Sequence, residues 1–139
     1  RLRALERGNI MKRLIIGLLI VIVLSGCTAT KEENKIMYNK ITAEEAKEMI
    51  DTQEVIILDV RTQEEFIEKH IEDALLIPDY ELEKLAESKL PDKNKKILVY
   101  CRSGNRSKTA ARLLIDMGYT DVYDFGGIIN WPYETVQGD

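Results

Sequence analysis

Apolar residues in this chain fall into two alternating rhythms, and each rhythm points to an element. Short unbroken runs such as Val55-Ile56-Ile57-Leu58 and Ile97-Leu98-Val99-Tyr100 suit strands covered on both faces, because a strand with one wet face would alternate apolar with polar. Between them the apolar positions space out to three and four. Leu82, Leu85 and Ala86 share one face of a helix over residues 80–89, and Ala110, Leu113, Leu114 and Met117 share one face of another that Gly118 stops. Two helix starts are marked by a threonine followed three residues later by glutamate, Thr42-Ala43-Glu44-Glu45 and Thr62-Gln63-Glu64-Glu65. In that pattern each side chain takes the other residue's backbone N–H. The first of these helices is expected to run to about Ile50. Leu75-Leu76-Ile77 reads as a brief strand ended by Pro78, and Pro91 to Asn94 as a turn. Val122-Tyr123 reads as a last strand, with Gly126-Gly127 a turn before a short segment carrying Trp131.

Strands that alternate with helices need crossover connections, which make neighbouring strands parallel. The prediction is therefore an α/β domain over residues 36–139, a mostly parallel sheet of about five short strands flanked by helices. Such sheets bind ligands just beyond the carboxyl ends of their strands. Cys101 directly follows Tyr100, beyond the end of the second apolar strand.

The N-terminal part follows a different pattern. Met11-Lys12-Arg13 precedes an apolar run of eleven residues, Leu14 to Leu24, and then Ser25-Gly26-Cys27. A basic start, a short apolar stretch and small residues make up a secretory signal peptide; a spanning helix would need ~20 apolar residues. Leu24-Ser25-Gly26-Cys27 resembles the lipobox of bacterial lipoproteins. That resemblance implies cleavage before Cys27, lipidation of Cys27, and an extracytoplasmic domain anchored to a membrane. Residues 1–10 precede a better start at Met11 and are grouped with the signal peptide as segment 1–27. Residues 28–35 are polar and read as a tether.

Charge narrows the function. Residues 1–27 hold five of the 20 basic side chains and one of the 24 acidic ones, leaving 15 basic against 23 acidic and a net of −8 for the rest. Nucleic acid demands a positive face, so it is excluded as a general partner.

The chain has two cysteines. If Cys27 carries lipid, Cys101 has no partner within the chain, and a lone thiol in an oxidising compartment is a liability unless it is buried or has a task. The segment Cys101-Arg102-Ser103-Gly104-Asn105-Arg106-Ser107 decides between these. A loop wrapping into a helix N-terminus aims several backbone N–H groups at one point, beside the sulfur. Gly104 permits a backbone conformation that a side chain would forbid, and Arg102 and Arg106 add positive charge. All of this favours thiolate over thiol. A cysteine that only filled a strand end would not be followed by so many charged and loop-forming residues.

These residues resemble the active-site loop of the rhodanese family, in its bacterial single-domain form. Leu58-Asp59-Val60-Arg61, Glu65-Phe66, His70-Ile71, Ala74 and Ile77-Pro78 resemble the family's N-terminal signature, and Asp124-Phe125-Gly126-Gly127-Ile128 with Trp131 its C-terminal one. The likeness spans about residues 38–133. Two positions depart from it: Lys69 stands before His70 where glycine is usual, and Glu72-Asp73 replaces another common glycine.

The resemblance implies a sulfurtransferase. Cys101 would take sulfur from a small anionic donor such as thiosulfate, hold it as a persulfide, and pass it to a thiol or cyanide acceptor. Arg102, Ser103, Gly104, Asn105, Arg106 and Ser107 would bind the donor and the persulfide, while Asp59 and Arg61 would form a supporting ion pair. His70, the only histidine, reads as structural. No cofactor and no metal site are expected, and the sequence specifies no oligomeric state. Two rivals differ in class. Cysteine phosphatases place five residues between cysteine and arginine, whereas four separate Cys101 from Arg106, a tighter cradle suited to sulfur. A non-catalytic persulfide carrier or binding module would keep the same loop without fast turnover.

Overall fold

A computed structural model describes residues 38–138. The elements run β1 (Asn39–Lys40), α1 (Ala43–Thr52), β2 (Ile56–Asp59), α2 (Gln63–Glu68), β3 (Leu75–Leu76), α3 (Leu82–Lys89), β4 (Ile97–Cys101), α4 (Asn105–Asp116) and β5 (Val122–Gly127), with a 3-10 turn over Ile128–Asn130. Cys27 and the 28–35 tether lie outside the described residues.

Both threonine–glutamate signatures form reciprocal caps. Glu45 N–H donates to Thr42 Oγ1 at 3.1 Å and Thr42 N–H to Glu45 Oε2 at 2.8 Å. The Thr62–Glu65 pair repeats this at 3.3 and 3.0 Å. Such a cap stabilises a helix by about 1 kcal/mol, which matters for α2, only six residues long. The third helix begins at Leu82, two residues later than its spacing predicts. Pro78 starts a turn that Glu81 N–H closes at 2.8 Å, and no side chain caps α3.

The five strands form one parallel sheet in the order β1-β5-β4-β2-β3. The chain steps outward from β2 to β3, and in the opposite direction from β4 to β5. The carboxyl ends of β2 and β4 therefore flank the point where the winding reverses, the place where such sheets open a crevice.

The first strand has no apolar run to announce it. Asn39 and Lys40 are strand only because they pair with Tyr123 and Asp124. Cys101 is the last residue of β4, one residue inside the strand end expected for it. Gly126-Gly127 is no turn; it continues β5.

Side chains of β4 alternate between two cores. Ile97, Val99 and Cys101 face the cluster containing Leu82, Ala86, Ala110 and Leu114 from α3 and α4. Leu98 and Tyr100 face the other, with Ala46 of α1, Phe125 and Trp131. The two-residue period of a strand thus turns the Cys101 thiol towards α4.

Candidate active site

The sulfur sits where β4 meets α4. Only Arg102, Ser103 and Gly104 lie between strand and helix, so Asn105, Arg106 and Ser107, expected in the loop, form the first turn of α4. Gly104 caps that helix with φ of +101° and offers it no side chain. Its own N–H donates to Cys101 Sγ at 3.1 Å. Beside the Cys101 sulfur, the first turn of a 12-residue helix thus has no side chain from its cap residue to accept from its amides, an arrangement able to hold an anion.

The reactive loop rests on backbone. A Cβ on Gly127 would lie 2.3 Å from Arg102 O and 2.6 Å from Ser103 Cα, so only glycine lets β5 approach this closely. Ile129 N–H donates to Arg102 O at 3.3 Å. Ser107 is fully buried behind the sulfur. Its hydroxyl lies 3.2 Å from both Gly104 O and Gly126 O, and 3.6 Å from Cys101 Sγ. Cys101 itself is 1% exposed, so whatever reacts with it is small or presents one protruding atom.

The Rhodanese-like domain model matches residues 42–132, and with them this whole strand–loop–helix unit. The chain belongs to the rhodanese-like family. A thiosulfate sulfurtransferase (GlpE) of Coxiella burnetii is 36% identical over 96 residues, which cover 68% of this chain and 88% of that protein. A sulfurtransferase of Allochromatium vinosum is 38% identical over 97 residues, 68% and 89% of the two chains. Among solved structures, a rhodanese with anions from E. coli aligns at TM-score 0.58 and 34% identity over 61% of this chain and all of its own. A rhodanese-related protein from Thermoplasma volcanium aligns at 0.62 and 34%, over 71% and 98%. A prokaryotic membrane lipoprotein lipid attachment site matches residues 11–28.

Within this rhodanese domain the two loop arginines are differently placed. Arg102 is exposed and has no ion-pair partner among the described residues. Arg106 is committed: Nη1 and Nη2 donate to Glu65 Oε2 and Oε1 at 2.7 and 2.8 Å. Those bonds from Arg106 hold the Glu65 carboxyl at about 2, well below the ordinary carboxylate range. The same Glu65 oxygen that meets Arg106 Nη1 caps α2 through Thr62 N–H, so one carboxylate ties α2 to the first turn of α4.

At the end of β2, Asp59 and Arg61 form a buried ion pair. Arg61 Nη2 donates to Asp59 Oδ2 at 2.6 Å and Arg61 N–H to Oδ1 at 2.9 Å. Nη2 also reaches Lys69 O at 2.7 Å. The guanidinium stacks 5.5 Å above the Tyr100 ring, and the Tyr100 hydroxyl accepts Ile71 N–H at 3.2 Å. The pair thus binds β2, β4 and the α2–β3 loop together one strand away from the sulfur. His70 stacks on Phe66 at 3.7 Å, and its Nδ1 lies 2.9 Å from Phe66 O, away from the reactive loop.

A cleft of about 280 Å³ opens beside that loop, between Arg61, Glu65, Lys69 and Arg102 on one side and Ile128 and Ile129 on the other. A larger one, about 630 Å³, lies along α1 around Trp131 and Tyr133 and touches no residue of the loop. A third, about 510 Å³, is lined by Ser103, Gly104 and Asn105 together with Asp124, Gly126 and Gly127, so the residues at the start of α4 open onto this one, while Arg102 lines the smallest. The sequence reading missed Glu65 as the partner of Arg106 and Gly127 as the floor of the loop. The signal for the second was present: paired glycines after a strand mark a close backbone approach as readily as a turn.

Proposed function

We propose that this rhodanese domain is a thiosulfate sulfurtransferase working through a Cys101 persulfide. One observation carries the reading: the Gly104 N–H bond to Cys101 Sγ at 3.1 Å, at the start of α4, where no side chain caps the helix and four residues separate Cys101 from Arg106. The Cys101 thiolate attacks the outer sulfur of thiosulfate; the sulfur–sulfur bond of the donor breaks, and sulfite leaves with the bonding pair. The outer sulfur of the resulting persulfide is an anion, held by the amides of the helix start. A thiolate or cyanide then attacks that outer sulfur, and Cys101 departs as thiolate, ready for the next cycle. Arg102, free of any carboxylate partner among the described residues, draws in the anionic donor. Arg106 acts through Glu65 to hold the mouth in shape, and Asp59 with Arg61 supports the neighbouring strand ends. Burial of Cys101 suits a donor with a single protruding sulfur and small acceptors.

The same proposal places the domain outside the cytoplasm, tethered through a lipid on Cys27. The attachment-site match over residues 11–28 and the basic-then-apolar start support this.

Mass spectrometry after brief exposure to thiosulfate tests the chemistry. One extra sulfur atom is expected on Cys101, and none on a Cys101→Ser variant that folds as wild type does. No added sulfur, together with brisk turnover of aryl phosphates, would overturn the assignment in favour of a phosphatase.

A further inference from the structure

Asp124 is a buried acidic side chain, 1% exposed on β5, with no ion pair among the described residues. A carboxylate taken out of water is costly unless hydrogen bonds replace its solvent. Two do: the Tyr38 hydroxyl donates to Oδ2, and Gly126 N–H donates to Oδ1 at 2.9 Å. Burial, and then the Asp124 carboxylate, push the Tyr38 hydroxyl's pKa well above its ordinary value, so it keeps its proton and donates.

The second bond falls where the sheet's own ladder fails. Val99 pairs with Asp124 and Cys101 with Gly127, so β5 spends one residue more than β4 between the two pairings. That is a bulge, and bulges leave a backbone group unpaired. At the bulge Gly126 has φ of +90°, and the Asp124 side chain takes its N–H in place of the ladder. The far side of the same residue meets the reactive loop. Gly126 O lies 3.2 Å from the Ser107 hydroxyl, and Gly127 is pressed against Arg102 O. A continuous line of contacts thus runs from Tyr38 through Asp124, Gly126 and Ser107 to Cys101.

We propose that Asp124, clamped by Tyr38, is a positioning residue for the Cys101 cradle, holding the β5 bulge so that Gly104 N–H stays within bonding distance of Sγ. The proposal rests on the sulfurtransferase reading and extends the site to an element that precedes the first helix. Tyr38 and the strand it leads into, β1, which pairs with Asp124 through Lys40, belong to the scaffold of the reaction.

The test compares Asp124→Ala, Asp124→Asn and Tyr38→Phe by rate of sulfur loading from thiosulfate, KM for thiosulfate, alkylation of Cys101 by iodoacetamide at fixed pH, and melting temperature. Asp124→Ala is expected to load about tenfold more slowly or worse, since small misplacements at a reacting centre are costly in rate. Its KM should stay within about twofold, and alkylation should slow in parallel. Asp124→Asn keeps an acceptor for Gly126 N–H and should stay within about threefold of wild type. Tyr38→Phe should fall between them. A purely stabilising Asp124 would lower the melting temperature but leave the loading rate per folded molecule unchanged, and that result overturns the proposal. Should Asp124→Ala fail to fold, Tyr38→Phe decides alone, and wild-type loading there sinks the clamp. If wild type itself takes up no sulfur, the sulfurtransferase reading fails, while the alkylation comparison still judges Asp124.

Discussion

Arg106 and Glu65, 41 residues apart in the chain, meet through two parallel hydrogen bonds of 2.7 and 2.8 Å. The pair joins the first turns of α2 and α4, and it decides how much of the Arg106 charge an incoming anion feels. With Glu65 in place, Arg106 is half of a neutral pair whose carboxylate lines the smallest cleft.

Removing the arginine therefore leaves a lone carboxylate facing the cleft. Arg106→Ala is expected to raise KM for thiosulfate about tenfold, with kcat changed less. The double variant Glu65→Gln/Arg106→Ala should recover part of that loss, because the repulsion goes with the charge. Steady-state kinetics at low and high salt check this, the gap narrowing with salt.

The pair also sets an acid dependence of stability. The Glu65 carboxyl is lowered to about 2 in the folded protein, below its unfolded value, so its contribution is full above the unfolded pKa and is lost as pH falls towards 2. Glu65→Gln keeps an acceptor for Thr62 N–H but removes the ion pair. It should be less stable at neutral pH by about 1–2 kcal/mol, and its deficit should shrink as pH falls below about 4. Denaturant titrations across that range measure it.

Gly127→Ala places a methyl group 2.3 Å from Arg102 O, and the obstructing atoms are backbone. The loop has to move, at a cost of about 3 kcal/mol, and the Gly104 N–H bond to the sulfur goes with it. The expected outcome is a folded, destabilised protein that no longer forms a persulfide, read by thermal melting and by mass spectrometry after thiosulfate.

Asp73 occupies the left-handed region, with φ of 63°, at one of the two places where the family resemblance leads one to expect glycine. Lys69, at the other, has φ of −167°, extended backbone that any residue adopts. Asp73→Gly should therefore stabilise the domain by up to about 1 kcal/mol, and a glycine at Lys69 should not. Chemical denaturation of the two variants separates them, with sulfur loading unchanged in Asp73→Gly.

The strand–loop–helix around Cys101 is legible in the sequence because local rules agree there. A fully apolar run makes β4, a three-and-four spacing makes α4, and Gly104 has room to turn between them. Legibility ends where one residue serves two masters. Glu65 is fully explained locally as a helix cap, so nothing nearby announces its bond to Arg106. Asn39 and Lys40 carry no strand signal at all; β5 makes them a strand. Gly126-Gly127 satisfies the rule for a turn, yet the bulge of β5 and the loop lying on it dictate otherwise. Asp124 looks like an ordinary polar residue until the fold buries it.

Depth also settles which oxidations Cys101 can undergo. A disulfide requires two Cα atoms within about 7 Å, and two copies of this domain, each with its thiol 1% exposed, cannot bring their Cys101 residues that close while folded. A donor only a few atoms long meets no such barrier. The depth of Cys101 thus acts as a steric filter on redox chemistry, keeping the thiol from being lost to dimerisation between folded neighbours.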